Sequence, residues 1–214
     1  MDRVAAILAV LDSARMRRSR VYIFGNGGSA ATASHFACDL AKGTIRSGKP
    51  GMRVYTLADS VPVFSAWAND TGYENVFSEQ LTDLVEPGDV AIAISGSGNS
   101  PNVLEGVRAA KSCGATTIGL CGFNGGRLVH LADIAIVVPN HCMEQVEDIH
   151  LILTHAIAVC LRRLHSNTLA ITKDPEELAK VARGYLQDMQ TGETAPVPHT
   201  VRTYGVREIS RVPS

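Results

Sequence analysis

The chain has 214 residues, 45% hydrophobic and 19% charged, enough to bury one sizeable core and too few for two full domains. A formal net charge of −1 gives no general attraction for nucleic acid or an anionic membrane. Basic groups gather only locally, at Arg15, Arg17, Arg18 and Arg20 and at Arg202, Arg207 and Arg211, where a solvated surface is expected, and no apolar run approaches the roughly 20 residues that span a bilayer.

The first predicted element is a helix. Val4, Ile7, Leu8 and Leu11 recur at i, i+3, i+4 and i+7, and Asp2 and Asp12 flank the run, which argues against a signal sequence. Five β-branched runs follow, each leading into a helical pattern: Val21–Phe24, Val54–Leu57, Val90–Ile94, Thr117–Leu120 and Ile134–Val138. Strands without polar alternation are buried on both faces, and their alternation with helices predicts an α/β fold, a five-stranded parallel sheet flanked by helices in a three-layer, flavodoxin- or Rossmann-like arrangement. Ser100-Pro101 reads as a helix N-cap followed by proline at the first helical position, with Gly114 past that helix's end. A long helix is predicted from about Met143 to Leu164. Residues 1–167 thus form the domain, and 168–214 form an extension, with a helix from Asp174-Pro175 to about Met189 and a polar tail from Gly192. The five cysteines include no C-x-x-C pair and suggest reduced, buried thiols in a cytoplasmic protein.

Ligands of parallel sheets bind where strands end and helices begin. Gly25-Asn26-Gly27-Gly28-Ser29-Ala30 follows the first strand, and Ser95-Gly96-Ser97-Gly98-Asn99-Ser100 follows the third and runs straight into a capped helix. Hydroxyls beside free N-terminal amides make the second loop a natural phosphate cradle, although an ordinary serine-rich turn has the same letters. The first loop fits G-x-G-x-x-A but lacks the acidic residue about 20 positions later that a dinucleotide site needs. Gly43 to Lys49-Pro50 imitates a P-loop, but proline supplies neither the hydroxyl nor the amide, and no strand precedes it.

His35 and Asp39 are four apart on one helix, and Glu147 and His155 are eight apart on another, so each pair can face a common point. Two imidazoles and two carboxylates suit zinc or a similar divalent ion, whereas spacing alone favours surface or core-satisfied groups. His141, His150 and Cys142 are weaker candidates.

Together the stretches FGNGGSAATASHFACDLAKG, AWANDTGYENVFSEQL, EPGDVAIAISGSGNSPNVLEGVRAAKSCGATTIGLCGFNGG and VEDIHLILTHA resemble the sugar isomerase (SIS) domain, and within it the phosphoheptose isomerases, over roughly residues 22 to 165. The resemblance implies a cytoplasmic aldose–ketose isomerase acting on a seven-carbon sugar phosphate, sedoheptulose 7-phosphate to glycero-manno-heptose 7-phosphate. It assigns Asn26, Gly27 and Gly28 to the sugar, with Asn69 and Asp70 beside it, and Ser95, Gly96, Ser97 and Ser100 to the phosphate. Asp39 and Glu147 also face the substrate. His35, Asp39, Glu147 and His155 fall on the positions that hold a divalent metal, zinc by expectation, and Asp39 and His155 form the acid–base pair. Two residues depart from the family pattern: Asp39 stands where glutamate is usual and Glu147 where glutamine is usual. The resemblance also implies a homo-oligomer, a tetramer or a dimer, with sites at subunit interfaces; the segment before the first loop, which helps to build that tetramer, is short here. A competing reading is a non-catalytic SIS protein that binds a partner such as the bacterial replication initiator. That branch lacks the carboxylate and histidine at the positions of Asp39 and His155, so their presence favours an enzyme. A sugar-phosphate-responsive regulator would need an effector domain, for which the residues after His165 are few and polar.

Overall fold

Helix α1 (Asp2–Arg17) lies against the sheet through Ile7, Leu8, Leu11 and Ala14, all buried. The computed structural model describes residues 2–45, 50–166 and 183; the extension over 168–214, with its expected helix, lies outside them apart from Arg183. After α1 come β1 (Arg20–Gly25), α2 (Gly28–Cys38), β2 (Arg53–Thr56), α3 (Val61–Thr71), α4 (Ser78–Leu84), β3 (Val90–Ser95), α5 (Pro101–Ser112), β4 (Thr116–Gly122), α6 (Leu128–Leu131), β5 (Ile134–Val138) and α7 (Met143–Ser166). A π-helical turn, Asp39–Gly43, continues α2. No helix among the described residues is long and apolar enough to cross a membrane.

All strand pairs are parallel, in the order β2-β1-β3-β4-β5. The three inner strands are almost wholly buried because helices cover both faces, whereas β2 and β5 at the edges are only partly covered. Alternate residues serve the two faces. Val21, Ile23, Val90, Ile92 and Ile94 pack with α1, α2 and α7, through Phe36, Ile157 and Leu161 among others. Tyr22, Phe24, Ala91 and Ala93 pack with α4 and α5, through Phe77, Leu81, Leu104 and Val107. Each fully buried leucine or phenylalanine contributes about 1.5–3 kcal/mol of transfer free energy.

Two expectations need correction. Arg15 is not on a solvated basic surface: its guanidinium is fully buried and paired with Asp12 at 2.8 Å, because α1 turns that face toward the sheet. The thiols are not uniformly buried either. Cys121 and Cys160 are buried, and desolvation pushes them up to about 12 and about 11 respectively, but Cys38 and Cys142 are exposed. Cys38 closes α2 on its outer side, and Cys142 precedes α7 in a polar loop, so the apolar neighbours of these two in sequence are not their neighbours in space.

Candidate active site

The sheet changes its direction of winding at β1. The chain places β2 on one side of it and then crosses to the other side for β3, which leaves a crevice at the carboxyl ends of β1 and β3. A cavity of about 220 Å³ occupies that crevice. Asn26, Gly27, Gly28 and Ser29 form one wall; Ser95, Gly96, Ser97 and Ser100 form the other; Met143 and Glu147 of α7 complete it.

Two helices begin at this cavity, α2 at Gly28 and α5 at Pro101, and neither N-cap residue makes a side-chain capping bond. The positive ends of both dipoles would therefore face an anion there, although at α5 Pro101 carries no N–H and the Val103 N–H is taken by the Asn102 side chain. The Ser95 and Ser100 hydroxyls are 3.4 Å apart, and the Ser97 hydroxyl accepts the Asn99 amide at 3.2 Å. The loop keeps this shape by close backbone packing. Gly98 has φ +64°, and a Cβ there would collide with the Gly125 carbonyl; a Cβ on Gly25 would come within 2.6 Å of the Ile94 carbonyl oxygen.

Farther along α2 and α7, a second group of side chains meets. On α2, Phe36 is buried, as is Leu40 in the π turn, which turns His35 and Asp39 to the adjoining face. On α7, Val146, His150 and Thr154 are buried, which presents Glu147 and His155 one residue further round. The two helices pack side by side. His35 Nε2 and His155 Nε2 lie 3.1 Å apart, and Asp39 Oδ2 lies 3.8 Å from the first and 3.7 Å from the second. Two ligands about 2.05 Å from one tetrahedral zinc ion sit about 3.3 Å apart, so this donor set fits such an ion. The rings are exposed enough to leave coordination positions for substrate or water.

Glu147, expected with them, is absent from this cluster. Its carboxylate instead stands over Gly28, so close that a Cβ on that glycine would overlap it. Asn69 and Asp70 do not line the cavity of this chain. They sit exposed near the end of α3, where the Asn69 amide donates to Asp70 at 2.8 Å. His141 and Cys142 are exposed, and the Cys142 thiol donates to Glu144 at 3.3 Å. His150 is buried behind Glu147. Burial holds its imidazole below the ordinary value, against the opposite pulls of the Cys121 carbonyl and Glu147. Sequence reasoning passed over Met143, and also Tyr73 and Asn102, which hydrogen-bond to Asn26.

The SIS domain family matches residues 2–122. A phosphoheptose isomerase of Aquifex aeolicus is 35% identical over 156 residues, 73% of this chain and 81% of that protein. The chain belongs to the SIS domain family, in its phosphoheptose isomerase branch. It is a sugar-phosphate isomerase. A second phosphoheptose isomerase, from Trichlorobacter lovleyi, is 39% identical over 139 residues, 65% of this chain and 70% of that one. Among solved structures, the phosphoheptose isomerase of Neisseria gonorrhoeae superposes with a TM-score of 0.68 at 32% identity, over 76% of this chain and 85% of that one. In this SIS-domain enzyme the backbone cradle grows from strand ends at the sheet's switch point, and the titratable cluster lies on the helices beyond it.

Proposed function

We propose that the enzyme interconverts sedoheptulose 7-phosphate and glycero-manno-heptose 7-phosphate. The observation that carries this reading is the pairing of an anion cradle, at the starts of α2 and α5, with a convergent His35–Asp39–His155 cluster farther along α2 and α7. The phosphate rests on Ser95, Ser97 and Ser100 at the positive end of the α5 dipole, with Asn26, Gly27, Gly28 and Glu147 along the sugar. Binding energy at this remote group fixes the orientation of the reacting carbons.

Ketose-to-aldose conversion balances when one proton leaves C1 and returns at C2 and one leaves O1 and arrives at O2, by way of an enediol. Asp39 is the group for the carbon-bound proton and His155 for the oxygen-bound one. A divalent ion, zinc on this donor set, held by His35 Nε2, His155 Nε2 and Asp39 Oδ2, would polarise the carbonyl and stabilise negative charge on its oxygen. A ring nitrogen engaged in that way carries no transferable proton, so Asp39 Oδ1 then keeps the proton work.

A second copy of the chain would bury α3, none of whose residues is buried here and whose Val61 and Val63 are exposed. Asn69 and Asp70 ride on that helix, which supports a homo-oligomer, a tetramer or a dimer, with sites at its interfaces. The free thiols of Cys38 and Cys142 suit the reducing cytoplasm.

Purified protein assayed against five-, six- and seven-carbon ketose phosphates tests the substrate, with the highest kcat/KM expected for seven carbons; a five- or six-carbon preference overturns it. Elemental analysis of untagged protein, with chelation and zinc add-back, tests the metal. Activity and metal content that ignore both treatments overturn the ligand set.

A further inference from the structure

Asn26 lines the cavity, and its amide is held by a network whose direction can be deduced from one fixed donor. The Val103 backbone N–H meets an Asn102 side-chain atom at 2.9 Å. A backbone N–H can only donate, so that atom is the amide oxygen. The Asn26 atom 2.9 Å from the same oxygen must then be Nδ2. Asn102 Nδ2 in turn donates to Asn26 Oδ1 at 2.9 Å, and the Tyr73 hydroxyl, 3.0 Å from that oxygen, donates to it as well. Both lone pairs of Asn26 Oδ1 and one of its two Nδ2 hydrogens are now used. One N–H donor remains. Asn102 is itself 1% exposed at the start of α5, so this amide pair also ties the loop after β1 to the helix that opens at the serine cradle.

We propose that Tyr73 and Asn102 are positioning residues that fix Asn26 as a hydrogen-bond donor toward substrate, so that the site selects a sugar phosphate with an accepting oxygen between the phosphate and the reacting end. The inference rests on the sugar-phosphate reading of the preceding section and adds the polarity of one contact. A site built to donate rejects an analogue lacking the acceptor, because a polar group is then left unpaired.

Calorimetric titration with sedoheptulose 7-phosphate and, separately, with inorganic phosphate tests this. Tyr73→Phe is expected to weaken the sugar phosphate about three- to tenfold while inorganic phosphate stays within about twofold, the net worth of one hydrogen bond. Asn102→Asp keeps the acceptor for Val103 but turns a second oxygen toward Asn26 Oδ1, and a loss at least as large is expected, again for the sugar phosphate alone. In an Asn26→Ala background, Tyr73→Phe should cost nothing further, since the group it orients is gone. An equal loss in both backgrounds, an equal loss for both ligands, or no loss in either variant overturns the proposal. Wild-type protein that binds the seven-carbon phosphate without turning it over overturns the isomerisation reading, and the affinity ratios still decide the role of Tyr73. Wild-type protein that binds it no better than inorganic phosphate overturns the donor assignment itself.

Discussion

The serine cradle and the histidine cluster are built in opposite ways. The cradle is backbone: Gly25 and Gly98 lie where a single methyl would collide with a neighbouring carbonyl, and two helix termini supply the polar groups. The cluster is side chain: three groups on two helices, partly open to solvent, brought together only because α2 and α7 pack with the right faces outward. On the function proposed above, affinity would depend on the rigid part of the fold, and chemistry on side chains that can be exchanged without disturbing it. A substitution in the cluster should silence turnover and spare the fold, and one in the cradle's backbone should damage both.

Asp39→Asn sharpens the contrast most. Charge and basicity go while size stays, so kcat should fall by about 10²–10⁴-fold with inorganic phosphate affinity unchanged. Glu147→Gln, outside the cluster, should stay within about threefold of wild type. The reverse order of damage in steady-state kinetics moves the base to Glu147. Gly98→Ala probes the other side: a Cβ at φ +64° against the Gly125 carbonyl should cost about 1–3 kcal/mol, several degrees in Tm, together with most of the phosphate affinity. Thermal melting with and without phosphate reads both, and an unchanged melt would mean that the loop is softer than its packing suggests. Ser97→Ala removes one hydroxyl from the cradle and leaves its backbone alone, so KM should rise about tenfold at constant Tm.

The smallest effect is on pH dependence and concerns His150, buried on α7 between Glu147 and His155. Its folded imidazole titrates below the ordinary value of about 6.5. Above that pH both folded and unfolded forms are neutral and stability does not respond. As pH falls through about 6.5, the unfolded chain takes up a proton that the folded one refuses, and stability declines. The fall in Tm between about pH 7.5 and about pH 5.5 should therefore be smaller in His150→Asn than in wild type. Identical falls would mean that this imidazole contributes nothing to the acid sensitivity of α7.

The parts legible in the sequence are those whose signal is local. Val90–Ile94 reads as an inner strand because burial on both faces leaves no polar alternation, and Ser100-Pro101 reads as a helix start because proline's fixed φ suits the first helical position. His35 with Asp39 and Glu147 with His155 are helical spacings, and the family resemblance supplied the expectation that the two pairs meet. What was not legible depends on distance through space. Asn102 looks like any first-turn polar residue until its amide is found 2.9 Å from that of Asn26, 76 positions earlier. Tyr73 lies in a stretch that carries the family resemblance, but nothing in its spacing shows that it reaches the same amide, 47 positions away. Glu147 shares the helix of His155, but which of two neighbouring sites it serves is set by how close Gly28 lets it come.

One consequence follows from the position of Glu147 and His155 on a single continuous helix. Eight residues of α-helix measure about 12 Å, and buried Val146, His150, Thr154 and Ile157 hold that length against the sheet. The helix is thus a gauge. On the function proposed above, a ligand whose phosphate lies in the serine cradle and whose sugar passes the first mark would present its far end to the second only if its carbon chain were long enough, and one too short would bind without reaching the proton-transferring groups. Length selection of this kind resides in no single contact. Changes to the cavity walls would scale affinity for long and short sugars alike, whereas inserting or deleting a helical turn between the two marks would reset the number of carbons the enzyme accepts.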